Sequence, residues 1–437
     1  MSPFYKGLHH ALTSLYGDSF NLSSDNKIFE KVSAAFESVT KWLHRKKDFQ
    51  PEMLTEKEPQ TLINETFNVL KTPLENLSIE QDIPEELTRT LEENIFHFSG
   101  FKTYHELKEA SLLLKDEKGG FKSFDKFAQD VKRINERYNR NYLNAEYEFA
   151  VSSSQMAVKW KDYEKDGDRY NLQYRTAADD RVREEHAALH GITLPPSDKF
   201  WDKYYPPNGW RCRCTVVQVR KGKYDECDSD DACKAGDKAT THIGKNGSNK
   251  AAIFRFNPGK QEKIFPPKHP YLPKGCGNCE FKMAYSPNDP QCQACKIFHK
   301  CWSSQVKTQN AIMRKHYLHE MEHLLNKKVI VSANGRNMNV GFTKKGNEHL
   351  YSDTFGRTKV MLKDDLKDLD TILGNAVFNK KVGISKTRKD DIKQFYYYET
   401  SLHSKTIYLN VAEEEFIDKK GKIHYHRFLY SVTDTIK

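Results

Sequence analysis

Long hydrophobic runs are absent from this chain of 437 residues. No stretch approaches the roughly 18 apolar residues that a membrane-spanning helix requires, so no such span is expected. The first residues, MSPFYKGLHHALTSLYG, lack the basic start and unbroken apolar core of a secretory signal, which predicts synthesis and folding in a cytoplasm. Apolar residues are few, at 37%, while charged residues reach 30%. That balance predicts long solvated helices and connecting segments instead of one compact core. An even, spread-out set of cysteines is missing too. The nine cysteines are an odd number and fall mostly in short C-x-C and C-x2-C pairs, which argues against a disulfide framework and leaves reduced thiols for metal.

What is present is length, helical periodicity and uneven charge. At roughly 100 to 200 residues per domain, the length predicts two to four domains. Residues 1 to about 165 read almost entirely as helix. Phe124, Phe127, Val131, Ile134, Tyr138 and Tyr142 draw one apolar stripe, with Ser123 placed to cap its start. Earlier helices are separated by KDFQPEM, LKTPLENLS and QDIPEEL, where proline interrupts the hydrogen-bonding pattern. The net charge of +10 is concentrated late: Lys307 to Lys437 holds 24 Lys and Arg against 16 Asp and Glu. That end is the expected partner of a polyanion.

The character changes after Tyr174. RVREEHAALHGI is followed by FWDKYYPPNGWRCRCTV, which brings histidines, acids, a Pro-Pro-Asn-Gly turn and two cysteines one residue apart. His186, Cys212 and Cys214 supply three metal ligands and leave one position open, as a hydrolytic zinc needs, but no clear second catalytic group accompanies them. Residues 221–272 are polar and read as a linker. Next, Cys276, Cys279, Cys292 and Cys295 form a C-x2-C-x12-C-x2-C array, with His299 and Cys301 as spare ligands. Two such knuckles hold one structural zinc with no open position. Beyond them, helical patterns in QNAIMRKHYLHEMEHLL and LKDDLKDLDTILGNAVF, short strands in KKVIVSA and MNVGF, and a closing meander over IKQFYYYET, KTIYLNVAE and IHYHRFLYSVT predict an α+β domain.

RTAADDRVREEHAALHGI and FWDKYYPPNGWRCRC, preceded by FSGFKTYHEL, FKSFDKFAQDV and YNRNYLNAEYEFA, resemble the signature of the phage Mu F-like head morphogenesis proteins, over roughly residues 95 to 220. The resemblance implies a minor head protein of a tailed phage or prophage. Such a protein is made in the bacterial cytoplasm, joins the virion, and meets portal and capsid proteins during assembly and DNA packaging. It also favours a structural task, so we read Arg175, Asp180, Arg183, His186, Trp210, Cys212 and Cys214 as a constellation that fixes a loop-rich fold, around a metal or without one.

Some Mu F-like proteins carry a toxin at this end of the chain, and TKKGNEHLYSD with YLNV and HRFLYSVTD is similar to the barnase, EndoU, colicin and RelE type of nuclease fold. That similarity implies a metal-independent endoribonuclease delivered to a host cytoplasm and countered by an immunity protein. His349 would be acid or base, Lys345 and Arg427 the cations, and Ser431 or Thr433 a phosphate hydrogen-bond donor. The rival expectation is a purely structural capsid protein whose basic tail contacts packaged DNA. The expected architecture is therefore multidomain. It has a helical region (1–94), a mainly α Mu F-like domain (95–220), a polar linker (221–272), a zinc knuckle (273–302) and an α+β nuclease-like domain (303–437).

Overall fold

The computed structural model describes residues 3–16, 27–81, 83–167, 169–244, 247–273, 289–352, 361, 363–383, 392–403 and 405–436. Two compact units divide the chain at Ser303/Ser304. No helix among the described residues is long and apolar enough to cross a membrane.

Unit 1 opens with α1 (Pro3–Tyr16), α2 (Lys27–Lys46), α3 (Lys57–Glu80), α4 (Glu85–Ser111), α5 (Phe124–Asn135) and α6 (Leu143–Lys165). Phe127, Val131, Ile134, Tyr138 and Tyr142 are buried as the stripe predicts. A π-helical segment, Glu136–Tyr142, carries that stripe from α5 into α6. Ser123 holds the N-cap position without a side-chain hydrogen bond. Pro51 opens a 3-10 turn and Pro84 precedes α4, but Pro73 lies inside α3 instead of ending it. Leu70, Pro73, Leu74 and Leu77 are all buried, and that burial offsets the lost backbone bond. The boundary expected at 94/95 falls within α4, which runs through it unbroken.

The central region is less loop-like than its composition predicts. β1 (Tyr170–Arg175), α7 (Glu184–Ala187), β2 (Thr193–Leu194), α8 (Phe200–Tyr204) and β3 (Thr215–Arg220) follow α6, and the strands form an antiparallel sheet in the order β2-β1-β3. Met156 and Trp160 of α6, Leu172 and Tyr174 of β1, and Trp201 and Tyr204 of α8 share its core. The segment expected as a linker is also folded: α9 (Ser229–Ala239) packs on α8, and Phe254, Phe256, Ile264, Phe265 and Tyr271 are buried. Four of its five aromatic residues are buried, with Tyr224 exposed, which composition averages conceal. Gly236 shows how closely α9 approaches, since a Cβ there would lie 2.5 Å from the Tyr204 ring.

Charge is buried inside unit 1. Lys102 of α4 and Glu146 of α6 pair at 2.7 Å with both side chains fully enclosed. Lys102 also donates to the Tyr138 carbonyl at 2.6 Å, and the Tyr16 hydroxyl donates to Glu146 at 2.8 Å. Nearby, the Asn139 amide donates to Glu106 at 2.5 Å, and burial pushes the Glu106 carboxyl up to about 8.

α10 (Pro290–Glu320) spans the division between the units. Unit 2 adds β4 (Lys328–Ala333), β5 (Arg336–Gly341), α11 (Lys344–Leu350), α12 (Leu369–Asn375), β6 (Val377–Gly383), β7 (Ile392–Leu402), β8 (Lys405–Ile417) and β9 (Ile423–Thr433). The sheet order is β4-β5-β9-β8-β7-β6, so the expected meander is present and the β4-β5 hairpin joins β9 in parallel. One difference is local. The helix expected to run to Phe378 ends at Asn375, and Val377 starts an edge strand paired with β7.

Because Glu106 binds its proton more tightly folded than unfolded, its contribution to stability falls as pH rises from the usual carboxyl value towards about 8. Resistance of the wild type to denaturation should therefore fall between roughly pH 5 and pH 8, and Glu106→Gln should flatten that slope. An unchanged slope in the variant would assign the pH dependence elsewhere.

Candidate metal centre

His186, Cys212 and Cys214 converge from two loops. Short helix α7 presents His186, while the chain leaving α8 turns back through Asn208, Gly209 and Trp210 and delivers both cysteines just before β3. Each sulfur lies 3.7 Å from His186 Nδ1, and all three side chains are buried. Nitrogen and sulfur ligands on one tetrahedral zinc sit about 3.6 Å apart, given bond lengths near 2.0 and 2.3 Å, so the three groups fit that ion. The Cys214 hydrogen bond, with His186 beside it, holds the Cys212 thiol well below its usual range.

The loop is fixed by its surroundings. Trp210 stacks on Tyr16 at 4.8 Å and meets Phe149 and Phe254 edge-on at 4.9 and 5.2 Å. Arg183 donates to the Trp210 carbonyl at 2.6 Å, and a Cβ at Gly209 would lie 3.2 Å from that guanidinium. Arg211, between Trp210 and Cys212, takes a left-handed φ of 59°. Ser152 of α6 donates to the Cys212 carbonyl at 3.2 Å, and the Tyr174 hydroxyl donates to Asn208 at 2.9 Å.

A cleft of about 690 Å³ opens over the centre, lined by Glu148, Ser152 and Arg181, Arg183, Arg211 and Arg213 among others. Its charges are committed within the chain. Arg213 closes on Asp179 with two bonds of 2.5 and 2.6 Å and holds that carboxyl well below its usual range. Arg211 faces Glu148 at 3.3 Å. These pairs serve the fold, and Glu148 and Asp179 are engaged by arginines instead of standing ready as bases.

Residues 118–217 match the family described as phage Mu protein F like protein. That segment of the chain is similar to the phage Mu F-like family. It is 44% identical over 54 residues, 12% of each chain, to protein F of Escherichia phage Mu, whose name assigns it provisionally to capsid assembly. It is 28% identical over 125 residues, 29% of each chain, to the Mu-like prophage FluMu F protein of Haemophilus influenzae. An uncharacterized protein of Methanocaldococcus jannaschii is 43% identical over 47 residues, 11% of this chain and 7% of that one. The matched stretches thus span well under two thirds of these relatives. No solved structure is significantly similar to the chain.

Of the sequence-derived constellation, the Mu F-like domain unites Arg183, His186, Trp210, Cys212 and Cys214. Arg175 points elsewhere, with its guanidinium 5.8 Å from the Tyr224 ring, and Asp180 is exposed. The acid that pairs is its neighbour Asp179, and Tyr174, Asn208 and Ser152 complete the loop's support. Sequence reasoning missed these four, since nothing in their spacing marks them. In the cysteine array, Cys276 and Cys279 lie outside the described residues, while Cys292 and Cys295 lie near the start of α10.

Unit 2 does not gather its five residues into one site. His349 stacks on Tyr430 at 4.2 Å, and Lys345 pairs with Glu414 and lies 5.9 Å from the Phe428 ring. Arg427 binds Glu413 at 2.6 Å, beside Tyr396. Phe428 and Tyr430 belong to one core and Tyr396 to the other, so the sheet separates Arg427 from His349 and Lys345. Ser431 and Thr433 are buried in β9, where Thr433 donates to the Thr435 carbonyl at 2.7 Å.

Truncating Trp210 removes an aromatic anchor and should cost roughly 3 to 5 kcal/mol. Trp210→Ala and Cys214→Ser should both lower the denaturation midpoint of the full chain. Midpoints equal to wild type would remove the structural role of the loop.

Proposed function

We propose that this chain is a minor head protein of a phage or prophage, acting in head assembly and DNA packaging through its Mu F-like domain. The observation that supports this best is the match over residues 118–217, because the same segment contains the whole His186, Cys212 and Cys214 centre and the loop that holds it. In this reading the centre closes on one zinc ion and stabilises the fold, since binding free energy at such a site becomes folding free energy. Cys276, Cys279, Cys292 and Cys295 would hold a second structural zinc. Portal and capsid proteins are the partners, and the virion is the place of action.

Unit 2, with its excess of positive charge, serves in this reading as a contact for packaged DNA. A ribonuclease toxin with an immunity partner is the second reading. It is favoured by one observation: His349 and Lys345 share α11, which packs on β9. Against it, Arg427 lies across the sheet, and Lys345 and Arg427 are each neutralised by a glutamate.

Particles purified after induction of the encoding phage should contain the chain, and Trp210→Ala should reduce both its incorporation and the yield of filled heads. Particles that assemble and fill without the chain would overturn the head reading. Elemental analysis of the intact protein should find zinc, with about one equivalent lost on changing Cys276 and Cys279 together to Ser. The two readings of unit 2 separate in one assay of the full chain. DNA binding that weakens with salt, without RNA cleavage, supports the contact. Cleavage lost on His349→Ala by about 10² to 10⁴ supports the ribonuclease.

A further inference from the structure

A second cluster in unit 1 has no part in the Mu F-like centre. Glu93 and His97 sit one turn apart on α4, on the same face, and His299 approaches them from α10. Their ligand atoms all lie within 4.8 Å of one another. The Glu93 carboxylate is 3.6 Å from His299 Nδ1, and the His97 and His299 rings meet at 4.0 Å between centroids, inclined at 67°. His97 Nε2 is buried without a hydrogen-bond partner. A buried ring nitrogen left in that state carries a desolvation cost unless something binds it.

We propose that Glu93, His97 and His299 bind a divalent transition-metal ion, of the zinc class, that clamps α10 to α4. Two imidazoles and one carboxylate suit zinc and its first-row neighbours, whereas calcium and magnesium favour all-oxygen sites. The surroundings are already rigid. Trp302, one turn beyond His299, packs against Phe96 and Phe67 at 5.5 and 6.0 Å, and Phe298 meets Phe101 at 5.0 Å. A Cβ at Gly100 would come within 2.8 Å of the Phe298 ring, so α4 and α10 are held at the close approach the ligands need. The clamp fastens α10 a few residues before Ser303, where unit 1 ends and the helix continues. Closing the ligand set requires only small side-chain movements, because the backbone is set by these aromatic contacts.

Cobalt(II) titrated into the metal-stripped full chain provides the test. Relative to wild type, Glu93→Gln should lose one bound equivalent, and the lost spectrum should contain cobalt d–d bands without thiolate-to-metal charge transfer. The affinity loss should exceed the roughly 10- to 100-fold that removal of an outer partner costs. His299→Gln should behave alike, and far-ultraviolet circular dichroism of both stripped variants should match wild type. If a variant misfolds, the other decides, because Glu93 and His299 lie on separate helices. Added zinc should slow hydrogen exchange in α4 and the first part of α10 in wild type and in neither variant. Equal cobalt stoichiometry in wild type and the folded variants would overturn the site. So would a lost equivalent that carries thiolate charge transfer, which would assign it to the cysteines.

Discussion

The fully enclosed Lys102–Glu146 pair is the constraint around which unit 1 is arranged. Removing two charges from water costs several kcal/mol per ion in effective terms, and only good geometry with further hydrogen bonds offsets it. The structure draws these from five elements. The π-helical turn offers the Tyr138 carbonyl, α1 offers the Tyr16 hydroxyl, α4 and α6 offer the charges, and the 269–271 segment closes the side, with His269 2.9 Å from Tyr16. Each element is therefore held in register by the need to keep one ion pair satisfied. The π-helical turn has a clear use here, since it turns Tyr138, Asn139 and Tyr142 inward together.

The same device reaches the Mu F-like centre through a single aromatic stack. Tyr16 binds Glu146 through its hydroxyl and carries Trp210 on its face at 4.8 Å. Trp210 lies two residues before Cys212, and its carbonyl is taken by Arg183, three residues before His186. A shift in the buried pair would be transmitted along this chain to both loops that supply the metal ligands. The centre is thus a local arrangement whose precision depends on the helical core.

Legibility in the sequence followed the kind of signal. The stripe from Phe127 to Tyr142 was readable because helical burial repeats every three or four residues, and the meander because strands β7 to β9 are dense in aromatic and β-branched side chains. His186, Cys212 and Cys214 were readable from ligand type and short spacing. The β1-β2-β3 sheet was not, because β2 has two residues and β1 alternates poorly, with four consecutive buried positions. Residues 221–272 were misread because a segment with few apolar residues still packs when most of its aromatic ones point inward. Glu93, His97 and His299 were invisible as a set, since about two hundred residues separate the first from the last.

Unit 2 shows why residue type is a weaker guide than face. Along β9, Arg427 precedes Phe428, and successive side chains point to opposite sides of a sheet. That alternation alone parts Arg427 from Phe428 and Tyr430, on whose side His349 and Lys345 lie. The register shift at Asn410/Val411 then gives β9 an extra residue opposite β8, which alters the alternation beyond Leu429. Leu429 and Val432 consequently share one core although three residues apart. Five residues of suitable chemistry therefore lie on α11 and β9, which pack together, without forming one site. The acidic partners Glu413 and Glu414 obey the same alternation, so each takes the cation on its own side of the sheet: Arg427 for the first and Lys345 for the second.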